Sequence, residues 1–153
     1  MALFLVQHGS CFSKEDDPEQ GLSPEGMADA WRIAEVAKEY GVQVSRILHS
    51  SKKRARQTAE IFAEFLNPEE GISVAEGLKP LDDPTVFAEV LHPGDDLMLV
   101  GHLPFLERLT AFLITGNANI TVFRFQNGGI VCLDTYPGAD SWTIKWALMP
   151  EIK

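Results

Sequence analysis

The stretch Leu3-Phe4-Leu5-Val6-Gln7-His8-Gly9 decides how the rest of the chain is interpreted. Four apolar residues followed at once by glutamine, histidine and glycine are typical of a buried strand that ends at a polar edge. The same pattern recurs where 44–48 precede His49-Ser50-Ser51, and where 97–100 precede Gly101-His102. The sequence therefore predicts three buried strands whose carboxyl ends carry polar side chains.

Amphipathic segments between these strands predict helices. Ser23 is placed as an N-cap, Pro24 stands at the first helical position, and Gly41 follows the last turn, so a helix is predicted to run to about Tyr40. Further helices are predicted over 52–66, 84–91 and 104–115, and a short strand over 72–75.

The last third of the sequence is rich in β-forming residues. Strands are predicted over 122–125, 130–133 and 142–147, and Asn127-Gly128-Gly129 predicts a hairpin turn between the first two. An alternation of strands and helices followed by an antiparallel edge predicts an α/β sandwich with a mixed sheet.

Composition narrows the class of protein. The 153 residues are 45% hydrophobic and 23% charged, which predicts one folded domain over 1–153 and excludes a disordered chain. No apolar run is long enough for a membrane helix, and no leader peptide is recognised. A net charge of −9 argues against a nucleic-acid partner. Two cysteines, Cys11 and Cys132, are too few for a disulfide scaffold, so a cytoplasmic location is expected.

Reactive side chains follow all three predicted strands. If these strands are parallel neighbours, His8, the segment from Ser50 to Arg54, and His102 meet at one edge of the sheet. Each also stands where a helix begins, so backbone N–H groups add affinity for an anion. Two imidazoles and a guanidinium beside helix N-termini predict a site for a phosphoryl group.

At these positions the chain resembles the histidine phosphatase superfamily, also called phosphoglycerate mutase-like, and within it the short SixA-type phosphohistidine phosphatases. The family motif strand-Arg-His-Gly is matched by 3–9, Leu-Thr/Ser-x-x-Gly by 22–26, Ser-x-x-x-Arg-Ala-x-Gln-Thr-Ala by 50–59, and Val-Gly-His-x-Pro by 100–104. The motifs stand in the family order and extend over most of the chain.

The resemblance implies a three-layer sandwich with a mainly parallel sheet and antiparallel strands in the C-terminal third. It implies that His8 is the nucleophile, that His102 stabilises the transferring group, and that Arg54 binds its oxygens, with Gln7 and Ser50 also contacting phosphate. No metal or other cofactor is expected, because arginine supplies the positive charge.

Two positions depart from the family pattern. Gln7 replaces the arginine before the nucleophile, and Gln20 stands near a position that is often basic; both changes remove positive charge. Lys14, Lys52 or Lys53 could compensate for the lost charge, but the favoured interpretation of all three is solvated surface. Because Gln7 is expected at a solvated strand end, restoring arginine there is predicted to change stability little.

A general acid is not identified from the sequence. The acidic candidates are Glu76, Asp82 and Asp83, and none of them falls in a motif. The favoured hypothesis is a metal-independent phosphatase that forms a phosphohistidine intermediate and acts on protein phosphohistidine. The alternatives are a catalytically weakened phosphate-binding module and a phosphatase of small phosphomonoesters. The expected partner is thus a phosphorylated protein or a small phosphorylated substrate, with no nucleic acid and no membrane.

Overall fold

Six strands form one sheet in the computed structural model, which describes residues 2–152. Their order across the sheet is β3-β2-β4-β1-β5-β6. The first four neighbours pair in parallel, whereas β5 and β6 are antiparallel, so the predicted mixed sheet with an antiparallel C-terminal end is confirmed. The strands are β1 (Leu3–Gln7), β2 (Arg46–His49), β3 (Ile72–Val74), β4 (Leu97–Gly101), β5 (Ile130–Thr135) and β6 (Trp142–Leu148).

Helices cover both faces of this sheet, as the three-layer prediction requires. One hydrophobic core joins α1 and α2 to the first face, and a second joins α3 and α4 to the other. Strand β1 is apolar from Leu3 to Val6 because Phe4 and Val6 enter the first core while Leu3 and Leu5 enter the second. The helices are α1 (Pro24–Glu39), α2 (Lys53–Leu66), α3 (Pro84–Ala88) and α4 (Phe105–Thr115), with a 3₁₀ turn at Pro93–Asp95.

The predicted strand over 122–125 is wrong, and with it the hairpin at Asn127-Gly128-Gly129. Strand β5 has β1 on one side and β6 on the other, so it offers no free edge to residues 122–125. The N–H of Gly128 instead donates to the Gln7 carbonyl at 2.8 Å, and the turn closes the end of β1. The observed hairpin joins β5 to β6 through the segment that contains Pro137-Gly138.

Other differences from the sequence prediction are confined to element ends. Strand β2 begins at Arg46 instead of residue 44, and α3 ends at Ala88 instead of residue 91. Ser23 caps α1 as predicted, accepting a hydrogen bond from the N–H of Gly26, and Gly116 ends α4 in the left-handed conformation. Within residues 2–152, no helix is both long and apolar enough to cross a membrane.

The register of the parallel strands places the candidate site. Gln7 pairs with Gly101 across β1 and β4, and His49 pairs with Val100 across β2 and β4. The residues that follow these pairs, which are His8, Ser50 and His102, therefore emerge at the same edge of the sheet.

Candidate active site

Two histidines lie side by side at this edge. The ring centroids of His8 and His102 are 5.0 Å apart, and the rings are inclined at 55°. His8 follows β1 and His102 follows β4, so the direct pairing of these two strands brings together residues that are far apart in the sequence. His8 is partly exposed, whereas His102 keeps only 2% of its surface accessible.

A backbone carbonyl fixes the proton on the His8 ring. Nδ1 of His8 lies 2.7 Å from the Gly9 carbonyl oxygen, which can only accept, so Nδ1 carries the proton and Nε2 keeps a free lone pair. Burial lowers the pKa of His8 from 6.5 to about 4, against the raising effect of the Gly9 hydrogen bond and with the help of the Arg54 charge. His8 is therefore neutral at pH 7 and nucleophilic at Nε2.

The second imidazole is held by a serine. Nε2 of His102 lies 2.5 Å from the fully buried Oγ of Ser50. Burial lowers the pKa of His102 to about 3, and the charges of His8, Arg54 and Lys52 act in the same direction. Nδ1 of His102 is buried and finds no hydrogen-bond partner among residues 2–152. Unsatisfied buried polar atoms are rare in a well-packed core and mark functional sites.

Three neighbours fix the backbone around His8. The N–H of His8 donates to the Gly101 carbonyl at 3.0 Å, and Nδ2 of Asn127 donates to the His8 carbonyl at 2.9 Å. The N–H of Gly9 donates to Oγ1 of Thr58 at 3.0 Å. These contacts hold the backbone on both sides of the His8 side chain.

Thr58 and Asn127 are positioning residues that sequence reasoning did not single out. Thr58 Oγ1 also donates to the Arg54 carbonyl at 2.8 Å. One hydroxyl therefore joins the backbone of Gly9 to α2, the helix that carries Arg54. The signal available in the sequence is the spacing of four residues between Arg54 and Thr58, which places them on one face of a helix. Asn127 has no such signal, because its turn is distant from His8 in the sequence.

The N-terminus of α2 collects positive charge beside the two rings. Arg54 lies in its first turn, and its charge lowers the pKa of both His8 and His102. No acidic residue stands in that turn, and within the part of the chain that the structure describes no carboxylate pairs with Arg54. An unpaired guanidinium at the positive end of a helix is a site for an anion.

Gln7 is buried, in contrast to the solvated strand end predicted from the sequence. It keeps 9% of its surface accessible, and its Oε1 has no hydrogen-bond partner in residues 2–152. The turn at Asn127 and Gly128 causes the difference, because it covers the end of β1. Replacement of Gln7 by a larger residue must therefore displace packed neighbours. Gln20 donates to the Phe12 carbonyl within the loop that precedes α1.

The three acidic candidates do not join the histidines. Glu76 is exposed, and Asp82 accepts from the N–H of Lys79. Asp83 caps α3, and hydrogen bonds from the hydroxyl and the N–H of Thr85 lower its pKa, so it is ionised at neutral pH and cannot act as an acid. No carboxylate contributes to the pKa shifts of either histidine.

The close approach of Gly9 and Gly26 brings the start of α1 against residues 8–10. A Cβ on Gly26 would overlap the Ser10 carbonyl oxygen, and a Cβ on Gly9 would lie 2.9 Å from the Gly26 carbonyl oxygen. The glycine of the Leu-Ser-x-x-Gly motif is thus required by packing beside the site.

Metal-ligating groups are not gathered at this edge. In the described residues, 2–152, no group of three or more His, Cys, Asp or Glu side chains is placed to hold a metal ion. Cys11 and Cys132 are free thiols, and burial raises the pKa of Cys132 to about 11.

Sequence comparison agrees with the geometry of this edge. Residues 3–82 match the profile of the histidine phosphatase superfamily (branch 1). The chain belongs to this superfamily. It is 25% identical to the phosphohistidine phosphatase SixA of Escherichia coli (strain K12) in an alignment that covers 98% of this chain and 94% of SixA.

Solved structures of superfamily members share the fold. A protein histidine phosphatase SixA complexed with tungstate superposes with a TM-score of 0.81 at 23% identity, covering 98% of this chain and 97% of that chain. A mycobacterial glucosyl-3-phosphoglycerate phosphatase complexed with VO3 gives a TM-score of 0.73 at 17% identity, covering 95% and 97%. Identities this low establish the fold alone.

Proposed function

We propose that this member of the superfamily is a phosphatase that works through a phosphohistidine intermediate on His8 and acts on protein phosphohistidine. One observation carries the proposal. The neutral His8 ring keeps its Nε2 lone pair free, beside a second neutral imidazole and an unpaired guanidinium. This combination of a nucleophile and a cation without a competing carboxylate suits phosphoryl transfer.

In the first step, Nε2 of His8 attacks phosphorus. The new N–P bond forms as the bond from phosphorus to the leaving nitrogen breaks, and the leaving imidazole departs with the electron pair. Arg54 binds the equatorial oxygens, where the transition state carries its charge. In the second step, water attacks phosphorus and the N–P bond of His8 breaks. Inorganic phosphate leaves, and the proton of the water stays on phosphate or passes to solvent.

His102 and Ser50 act on the transferring group in this scheme. Because its pKa is about 3, His102 is neutral at pH 7 and does not bind the phosphoryl group as a cation. Ser50 holds the ring through Nε2, which fixes the orientation that the ring presents to the phosphoryl oxygens. We expect chelators to leave turnover unchanged, since Arg54 supplies the charge that a metal ion would otherwise provide.

The lack of a nearby carboxylic acid favours phosphohistidine as the substrate. An alkoxide leaving group needs a proton donor, whereas the imidazole of phosphohistidine leaves readily once its other nitrogen is protonated. None of the three acidic candidates joins the histidines, and no carboxylate contributes to the pKa shift of either ring, so the described residues favour a leaving group that needs no carboxylic acid. The similarity to a protein named phosphohistidine phosphatase supports the same substrate class.

Trapping the intermediate tests the proposal. Wild-type protein incubated with phosphoramidate and quenched without acid should carry an alkali-stable, acid-labile phosphoryl group. His8→Ala should abolish this labelling, and His92→Ala, which changes an exposed histidine outside the site, should not. Labelling that persists in His8→Ala would refute His8 as the nucleophile.

Two alternatives are separated by steady-state assays. The first alternative is a phosphatase of small phosphomonoesters, because the fold is similar to that of a glucosyl-3-phosphoglycerate phosphatase. A higher kcat/KM on such esters than on a phosphohistidine peptide would favour this alternative. The neutral Gln7 favours a weakened phosphate-binding module. Vanadate binding without turnover of either substrate would support that second alternative.

A further inference from the structure

The three basic residues at the start of α2 have different partners. Nζ of Lys53 lies 3.3 Å from Asp17 and 3.5 Å from Glu19, so its charge is neutralised. Lys52 and Arg54 have no carboxylate partner in the portion of the chain that the structure describes. The start of α2 therefore presents two free cations, and only Arg54 has a role so far.

Lys52 is joined to the site through its backbone. It occupies the N-cap of α2 in an extended conformation (φ −71°, ψ 138°), and its N–H donates to Oγ of Ser50 at 3.4 Å. The same Oγ contacts Nε2 of His102 at 2.5 Å. One hydroxyl thus separates the Lys52 backbone from the second imidazole. The side chain is exposed, and its charge lowers the pKa of His102, so the ammonium group acts on this ring.

The charge of the site is incomplete without a second cation. A phosphoryl group brings close to two negative charges, and His8 and His102 are both neutral at pH 7. Gln7 is neutral, so Arg54 alone leaves about one negative charge uncompensated. Lys52 has an exposed ammonium without a carboxylate partner in the described residues, and its backbone contacts Ser50 at the same edge.

We propose that Lys52 is a phosphate-binding residue of this site and that it sets the affinity for dianionic phosphoryl groups. This inference rests on the proposed function but concerns binding, which is measurable without turnover. An exposed ammonium beside the site would interact with the phosphoryl group on arrival and in the bound state alike. Its loss should therefore raise KM much more than it lowers kcat.

Lys52→Ala is the direct test, with vanadate as the probe. Calorimetry should give about 10-fold weaker vanadate binding, and kinetics on a phosphohistidine peptide should give a similar rise in KM with kcat changed by less than about threefold. Lys52→Arg should retain most of the affinity. Lys38→Ala, which removes the same charge from an exposed site at the far end of α1, serves as the matched control and should leave both values unchanged.

A second measurement excludes a merely structural role. NMR titration should show a higher pKa for His102 in Lys52→Ala than in wild type, because one of the charges that lowers it has gone. Vanadate affinity within twofold of wild type in Lys52→Ala would overturn the proposal. If no form of the protein turns over substrate but Lys52→Ala still weakens vanadate binding, the proposed function fails while the role of Lys52 stands.

Discussion

The N-termini of α1 and α2 lie beside the same segment, residues 8–10, and are built in opposite ways. In α1, the Ser23 hydroxyl accepts from the N–H of Gly26 at 3.1 Å, Pro24 begins the helix, and Glu25 is an acid in the first turn. In α2, Lys52 provides no capping side chain, and Lys53 and Arg54 place positive charge in the first turn.

The difference agrees with a structural role for the start of α1 and with the anion-binding role proposed for the start of α2. The start of α1 follows the local rules for stability, since a cap satisfies an N–H group and an acid complements the helix dipole. The start of α2 breaks both rules, and departures of this kind gather at functional sites. An anion bound among Lys52, Arg54 and the first N–H groups of α2 would accept hydrogen bonds from the uncapped N–H groups. It would also provide the negative charge that no acidic residue supplies in this turn.

The largest expected effect comes from Arg54→Ala. Loss of a bidentate, charge-assisted contact with the transferring group should lower kcat/KM by about 100-fold or more. Thermal stability should stay level or rise, because a cation leaves the positive end of the helix. Arg56→Ala, which removes an exposed arginine paired with Glu60 on the same helix, is the matched control. Equal losses of activity in both variants would contradict the assignment.

Low pH should destabilise the protein by protonating His8 and His102, which lie near the start of α2. The folded pKa values of His8 and His102, about 4 and about 3, lie below the value of 6.5 in an unfolded chain. The unfolded state therefore binds more protons, so this contribution to stability is complete above pH 6.5 and is lost as the pH falls towards 4 and 3. We expect the free energy of unfolding to fall by about 2 kcal/mol or more between pH 7 and pH 4.5.

Urea titrations at several pH values measure this dependence. His102→Gln should flatten it, while His92→Gln, at an exposed position, should reproduce the wild-type curve. A wild-type stability that is level from pH 7 to pH 4.5 would show that the two rings are not held neutral by the fold.

Gly26→Ala tests the α1 side. The added methyl group would overlap the Ser10 carbonyl oxygen, so α1 and the segment 8–10 must move apart. The free energy of unfolding should therefore fall by roughly 1–3 kcal/mol. Met27→Ala changes the next residue, which is 43% exposed, and should have a smaller effect. Chemical denaturation of the two variants gives the comparison, and equal midpoints would show that the close approach is not required.

Gln7→Arg adds charge opposite the start of α2. It should raise kcat/KM by about 10-fold if the guanidinium reaches the phosphoryl oxygens. Because Gln7 is buried, the larger side chain should also lower the free energy of unfolding by roughly 1–3 kcal/mol. Gln7→Leu controls for loss of the amide without gain of charge. An unchanged or lower rate in Gln7→Arg, with folding intact, would mean that the site is adapted to a neutral residue.

The smallest change in the free energy of unfolding should come from a variant that gives α2 a capping serine like the one in α1. Lys52→Ser should add roughly 0.5–1 kcal/mol to the free energy of unfolding and weaken vanadate binding. Ser23→Ala should lose a similar amount of stability at the other helix. Lys52→Ser with unchanged stability and unchanged affinity would remove the contrast between the two helix ends.

Much of the fold follows from local sequence patterns. The continuous apolar run before His8 predicts a strand buried on both faces, and Ser23-Pro24 predicts the start of α1 within one residue. The segment 122–125 has the composition of a strand but forms none, because strand formation depends on a free partner edge and β5 has none. Such competition for edges is a property of the whole sheet and is not encoded locally.

The part of the candidate site that lies at strand ends was predictable from the sequence. His8, Ser50 and His102 meet because three parallel strands end together, which the alternation of strands and helices predicts. Two features could not be predicted. The burial of Gln7 depends on a turn that is distant in sequence, and the contrast between Lys52 and Lys53 depends on where Asp17 and Glu19 lie in the folded loop.

The central position of β1 also has a consequence for biosynthesis. The strand that precedes His8 is made first, yet it pairs with β4 and β5, since Leu3 lies opposite Leu97 on one side and Leu133 on the other. Gly128 and Asn127 then donate to the carbonyls of Gln7, the last residue of β1, and of His8, which follows it. At about 5–20 residues per second, the ribosome needs roughly 6–24 s to travel from His8 to Gly128. Throughout that interval the nascent chain carries His8 without the partners that orient it, so this edge of the sheet is completed only after Gly128 has been synthesised.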